Sequence, residues 1–207
     1  MSGLLGVSTF GTLGTPTSFG TNLTGADTAL GNFAFLTQDT GAVINSQAGL
    51  EFPLHLVTAS SPTLVNYFRI SSLADVRLFI GYSDQTLATM AGSDNPAGSY
   101  IGLQFSSARG DTNWQYVAKD GTTQLLTDSG VAASTNFFIL RIGYDPAAIV
   151  HMALFNNSWS PLGSVVDLTT NLPANTISVR LNHGIQNLVA ASKTLQVAFI
   201  YEVESIS

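Results

Sequence analysis

From Asn32 onward the chain breaks into short runs rich in Val, Ile, Leu, Phe, Tyr and Thr, separated by turn residues. Runs of this length and spacing make strands of an antiparallel sandwich or barrel. They occupy residues 33–36, 51–58, 64–70, 76–83, 100–105, 114–119, 122–126, 136–144, 149–155, 163–167, 176–181 and 195–204. Asp120-Gly121, Asp145-Pro146, Asn156-Asn157 and Asn182-His183-Gly184 supply turn chemistry between them. Helical periodicity is confined to residues 84–90, enough for a single turn. The expected fold class is therefore all-β, two antiparallel sheets in one domain over residues 32–207, and a length of 207 residues suits one such sandwich.

Alternation within the runs assigns faces. Val76, Leu78, Ile80 and Tyr82 share one side of their strand, with Arg77, Phe79 and Gly81 on the other. Phe138, Leu140, Ile142 and Tyr144 oppose Phe137, Ile139, Arg141 and Gly143 in the same way. Apolar residues on both sides predict strands covered on both faces. The last run carries Leu195, Val197, Phe199, Tyr201 and Val203 as one continuous apolar stripe.

Residues 1–31 are dominated by Gly, Thr, Ser and Leu, with the related triplets Phe10-Gly11-Thr12 and Phe19-Gly20-Thr21. Glycine at this density disfavours a helix. Two readings stand side by side: an extended arm that lies on a neighbouring subunit or scaffold, and a partly ordered terminus. Residues 1–10 lack the basic and apolar regions of a signal peptide, so no classical secretion route is expected.

Charged residues make up only 10% of the chain, against about 25% in an average domain. A surface of Ser, Thr, Asn, Gln and Gly has little charge to repel neighbours, which suits burial against other subunits. The net charge of −6 and seven scattered Lys and Arg residues offer no basic patch for nucleic acid or an anionic membrane. No run approaches the ~18 apolar residues of a spanning helix. The absence of Cys excludes a disulfide framework and thiolate metal sites.

One ordered set of segments has the look of a known family. Phe68-Arg69-Ile70 is followed by Asp75-Val76-Arg77-Leu78-Phe79-Ile80-Gly81, then Tyr100 through Phe105 and Gly110-Asp111-Thr112-Asn113-Trp114. Asp120-Gly121-Thr122, Asp128-Ser129-Gly130-Val131, Phe138 through Ile142 and Asn171-Leu172-Pro173-Ala174 complete it. This order, from about Leu64 to Ser205, resembles the concanavalin A-like (laminin G-like) jelly-roll domains found in bacteriophage and other virion proteins. The resemblance implies a jelly-roll topology. The family holds glucanases, lectins and inert virion modules, so it leaves function open.

A glucanase needs two carboxylates about 5–5.5 Å apart in the retaining case. The chain has only three Glu, at 51, 202 and 204; Glu202 and Glu204 share a face at a strand end that reads as solvated, and the E-x-D-x-x-E strand is absent. Asp84, Asp94, Asn95, Asp111 and Asn113 are the nearest approach to a Ca²⁺ site, and turn-capping explains them better. His55, His151 and His183 have neither ligand spacing nor an acidic companion and read as structural. Arg109-Gly110-Asp111 reads as a turn with a positive-φ glycine rather than as an integrin motif. No serine elbow is present. Neither enzyme activity nor a cofactor is expected.

Trp114, within a strand, reads as core. Trp159 follows Asn156-Asn157-Ser158 at a hairpin tip, where a Trp can stack on a sugar or anchor a protein contact, or fold back onto the sheet beside Pro161. The first expectation for function is a virion structural protein, a capsid decoration, spike or fibre module located in the virion. By analogy it forms a homo-oligomer, a trimer, and contacts other virion proteins such as a major capsid or tail protein. The alternative is a non-catalytic, lectin-like carbohydrate-binding module. Its contact set comprises Trp159, Tyr116, Asp84, Asp94 and Asn95.

Overall fold

The computed structural model of the protein describes residues 17–19, 21–27, 33–52, 56–57, 63–145 and 148–203. Along the chain these form β1 (Thr17–Phe19), β2 (Thr21–Asp27), β3 (Phe33–Asp39), β4 (Gln47–Glu51), β5 (Leu56–Val57), β6 (Thr63–Ile70) and β7 (Val76–Ser83). A short helix, α1 (Leu87–Ala91), separates these from β8 (Gly98–Ser106), β9 (Asn113–Gly121), β10 (Gln124–Ala132) and β11 (Phe138–Asp145). The last four strands are β12 (Ile149–Asn156), β13 (Pro161–Leu168), β14 (Ser178–Asn187) and β15 (Thr194–Val203).

The strands build two antiparallel sheets. One runs β1-β4-β14-β7-β8-β9-β10, with β5 also on β14, and the other runs β13-β12-β11-β6-β15-β3-β2. Strands distant in sequence lie side by side, β14 between β4 and β7 and β6 between β11 and β15, as a jelly roll requires. The two sheets face each other across one apolar core. Its alternate residues include Leu78, Ile80 and Tyr82 of β7 and Leu140, Ile142 and Tyr144 of β11. The faces expected from alternation for β7 and β11 are those observed.

The first sheet is covered on its outer side as well. Phe79, Tyr100, Val117 and Met90 form a second buried cluster there, beneath the segment between β7 and β8 that carries α1. Two glycines admit that helix. A Cβ on Gly184 would lie 2.2 Å from Leu87 Cδ1, and one on Gly49 would lie 2.7 Å from Leu87 Cδ2. Gly184→Ala should therefore unseat Leu87 and cost about 1–3 kcal/mol of overpacking. Thermal melts of Gly184→Ala and of Gly184→Ala with Leu87→Ala check this. Partial recovery in the double variant is expected, and wild-type stability in the single variant would refute it.

The structure corrects four local expectations. Asn182-His183-Gly184 is no turn but the middle of β14, where His183 points into the core and bonds Asn66 on the opposite sheet. The single run expected at 51–58 is two strands, β4 and β5, on the same partner. A register shift between Val197 and Phe199 breaks the stripe of the last strand. Val197 lies opposite core Phe68, whereas Phe199, Tyr201 and Val203 lie opposite Tyr67, Val65 and Thr63 of the other row, because one extra residue in a bulge inverts the alternation. Within the stretch read as an arm, β1 pairs with β4 and β2 pairs with β3 along its full length, so residues 17–19 and 21–27 belong to the two sheets. The remainder of that stretch, residues 1–16, 20 and 28–31, lies outside the described residues.

Candidate functional site

The outer side of the second sheet is where the structure leaves chemistry exposed. Outward residues of β11 are Ile139, Arg141, Gly143 and Asp145, and the register sets Ile139 opposite Phe155, Arg141 opposite Ala153 and Gly143 opposite His151 of β12. On the far side of β11 the same residues meet Tyr67, Val65 and Thr63 of β6. Gly143 and Ala153 are small. Between taller neighbours they leave a shallow dish of about 200 Å³ lined by Arg141, Gly143, His151, Ala153, Phe155 and Val165. That is below the roughly 300 Å³ at which drug-sized pockets begin, and suits a single ring rather than a long chain.

One end of the dish is aromatic. The β12–β13 turn is held by Asn156, whose Oδ1 accepts the backbone N–H of Ser158 at 2.9 Å and of Ser160 at 3.0 Å. This turn places Trp159 in the left-handed region, φ 60°. For a bulky side chain that conformation costs about 1–2 kcal/mol, and such strain concentrates at functional positions. The indole is 52% exposed. Its edge meets Tyr67, ring centroids 5.6 Å apart, and it is tilted on Phe155 at 6.0 Å. Partial burial raises the Tyr67 phenol's pKa, opposed by a side-chain hydrogen bond with Trp159, whose indole N–H can only donate. Trp159 thus folds back onto aromatic neighbours while half its surface stays open.

The other end is polar. His151 Nδ1 lies 2.6 Å from Asp167 Oδ1 of β13, and Nε2 lies 4.0 Å from Asp145 Oδ2. His151 was expected to be structural and without an acidic companion. The companion comes from the neighbouring strand, since the register sets His151 opposite Asp167, a pairing invisible in linear spacing.

The other proposed contact residues lie elsewhere. Tyr116 is fully buried in the inter-sheet core, with its phenol pushed up by burial, and offers no ring to an external ligand. Asp84, Asp94 and Asn95 sit on the first sheet, in the segment that covers its outer face. Asp84 Oδ1 accepts the Ser99 N–H at 3.0 Å. Asp94 pairs with Arg77 at 2.7 Å, and Asn95 Oδ1 accepts from Lys119 at 2.8 Å. Burial alone would raise the Asp94 carboxyl; hydrogen bonds from Ser106 and Arg77 and the charges of Arg77 and Arg109 hold it below the usual range. These groups are spent tying the segment down. Trp159 is therefore not joined by the other four.

The remaining candidates resolve similarly. Arg109 forks onto Asp111 at 2.9 and 2.6 Å across Gly110, φ 82°, so the tripeptide is a self-paired turn. Asp111 also accepts the Ser106 N–H, and Asn113 donates to Asp128. No group of three or more His, Asp or Glu among the described residues is placed to hold a metal ion. Glu51 caps the start of α1 through the Leu87 N–H and pairs with Arg180 at 2.6 Å. Glu204 and His55 lie outside the described residues, and of Glu202 only its place in β15 is described.

No family model and no curated protein matches the sequence. Solved structures do. A Lotus tetragonolobus seed lectin shares 11% identity over 94% of this chain and 95% of its own, with a TM-score of 0.56. The legume lectin-like domain from Entamoeba histolytica shares 13% over 91% and 89%, TM-score 0.57. A Bacteroides ovatus mixed linkage glucan GH16 protein, solved in complex with a product, shares 10% over 88% and 85%, TM-score 0.56. Such identities speak for the fold alone. The topology and these likenesses over nearly the whole chain make the fold a concanavalin A-like jelly roll.

Proposed function

We propose that the protein is a non-catalytic carbohydrate-recognition module and that the dish on the outer side of the second sheet receives a sugar ring. The observation that carries this is Trp159, a half-exposed indole held in a strained backbone conformation against Phe155, which lines the aromatic end of the dish. Aromatic faces beside small residues and hydrogen-bonding side chains suit a ring with one apolar face and a polar edge. Lectin-like folds among the similar structures support the same reading. It therefore ranks ahead of virion assembly, which draws no carrying observation from the described residues.

Similarity to a GH16 protein raises hydrolysis as the competing activity. Asp145 and Asp167, the carboxylates next to His151, stand at its two ring nitrogens, so the imidazole occupies the space between them that a scissile bond would need. That arrangement supports binding without cleavage.

Titration with oligosaccharides, read by isothermal calorimetry in every variant and also by tryptophan fluorescence in the wild type, tests the proposal. The signal is selective because Trp114 is fully buried and Trp159 is not. Trp159→Ala should lose about tenfold or more in affinity, as truncation of an aromatic anchor does. Its thermal midpoint should fall modestly, since Ala keeps the left-handed strain and loses the ring contacts with Tyr67 and Phe155. Wild-type affinity in Trp159→Ala, or release of reducing ends that Asp167→Asn abolishes, would overturn the proposal.

A further inference from the structure

Arg141 stands apart from the other cations of the chain. Arg77 is held by Asp94 and Gln186, Arg109 by Asp111, and Arg180 by Glu51. Arg69 bonds Gln196 and covers the Phe137 ring at 4.4 Å. Lys119 donates to Asn95 and to the Pro96 carbonyl, and Lys193 donates to Ser72. Among the described residues these six are all engaged, and Arg141 alone has neither an ion pair nor a hydrogen bond, although it is exposed and lines the dish.

The protein has a net charge of −6 and holds six of its seven cations internally, whereas the seventh stands in a recess without a carboxylate partner among the described residues, a place that suits an anion. The nearest acidic groups do not fill it. Asp145 and Asp167 are drawn to His151, and Asp145 lies four residues along β11 from Arg141, about 13 Å at strand pitch. Arg141 lies between that polar end and the aromatic end: its strand neighbours toward each are Gly143 and Ile139, opposite His151 and Phe155. A ring lying against Trp159 and Phe155 would present its substituents over the Ala153 floor to the guanidinium. A planar fork of donors matches a carboxylate two bonds at a time, with a charge pairing that neutral hydroxyls lack.

We infer that the ligand of the dish is an acidic sugar, a ring bearing a carboxylate that pairs with Arg141. This rests on the reading of the dish as a sugar site. It adds a charge requirement that the reading does not contain.

The test compares methyl glucuronoside with methyl glucoside, identical but for the carboxylate, against the full chain, with Arg141→Gln and Arg141→Lys as variants. Isothermal titration and Trp159 fluorescence give the affinities. The wild type should prefer the acid by about tenfold or more, the preference should weaken with added salt, and Arg141→Gln should collapse it toward one. Arg141→Lys should keep only part, since a point charge lacks the fork. Equal affinities in the wild type, or a preference that survives Arg141→Gln, would overturn the acidic-sugar inference while leaving sugar binding intact. Failure of both glycosides and of a wider set of acidic and neutral sugars to bind would overturn the inference and the sugar site together.

Discussion

Trp114→Ala is expected to cost about 3–5 kcal/mol of folding stability, read as a large drop in the urea midpoint with little change in slope. Trp114 is fully buried. It is where the sheets meet: from β9 of the first sheet its ring touches Phe68 at 5.3 Å and Phe138 at 5.3 Å, both on the second, and Phe105 at 5.5 Å beside it. Truncation leaves a cavity that rigid strands on both sides cannot collapse. Trp114→Phe should be much milder, about 1–2 kcal/mol. The lost ring volume is partly offset by removing a buried indole N–H that has no hydrogen-bond partner. A cost below about 1 kcal/mol for Trp114→Ala would mean that this cluster does not join the sheets.

The second large effect is on acid stability. His183 is completely buried, and burial depresses its pKa to about 3 from 6.5. Its Nε2 lies 2.7 Å from the Asn66 amide nitrogen, so the ring accepts there and is neutral in the fold. Above pH 6.5 both folded and unfolded states hold it neutral, and it contributes no pH dependence. As pH falls from 6.5 towards 3 the unfolded chain takes up a proton that the fold refuses. Stability then falls by ~1.4 kcal/mol per pH unit, about 2 kcal/mol by pH 5. Lowered carboxyls such as Asp94, Asp120 and Asp128 act mainly below pH 5, because their unfolded value is 3.8. Urea unfolding at pH 7 and pH 5 measures the slope. His183→Gln, which can keep the link to Asn66, should flatten it, and an unchanged slope in that variant would assign the acid sensitivity elsewhere.

Alternation alone placed Arg77 and Phe79 opposite Leu78 and Ile80, and Arg141 opposite Leu140 and Ile142, and the core has those sides. It placed Trp114 inside, and the turn chemistry around Asn156 placed Trp159 at a hairpin tip. It misplaced the end of β15, because a bulge leaves no mark in composition, and it read Asn182-His183-Gly184 as a turn. Those residue types are turn formers by local preference, yet here Gly184 makes room for Leu87 and His183 meets Asn66, 117 positions away. Local preference loses to long-range packing.

The site divides along the same line. Trp159 was legible because its place at a hairpin tip is set by the turn residues just before it. Arg141, His151, Asp167, Phe155 and Tyr67 were not legible as a set, since they come from four strands and converge only through β6-β11-β12-β13 pairing. Tyr116 was drawn into the contact set by residue type, whereas its facing depends on which side of β9 the other sheet occupies. Period-two hydrophobicity and turn residues, which act over a few positions, sufficed for an all-β sandwich and for the inward row of several strands. Pairing order, register and the self-engagement of six cations arise between segments far apart in the chain, so the open dish and the unpaired Arg141 exist only once the two sheets are assembled.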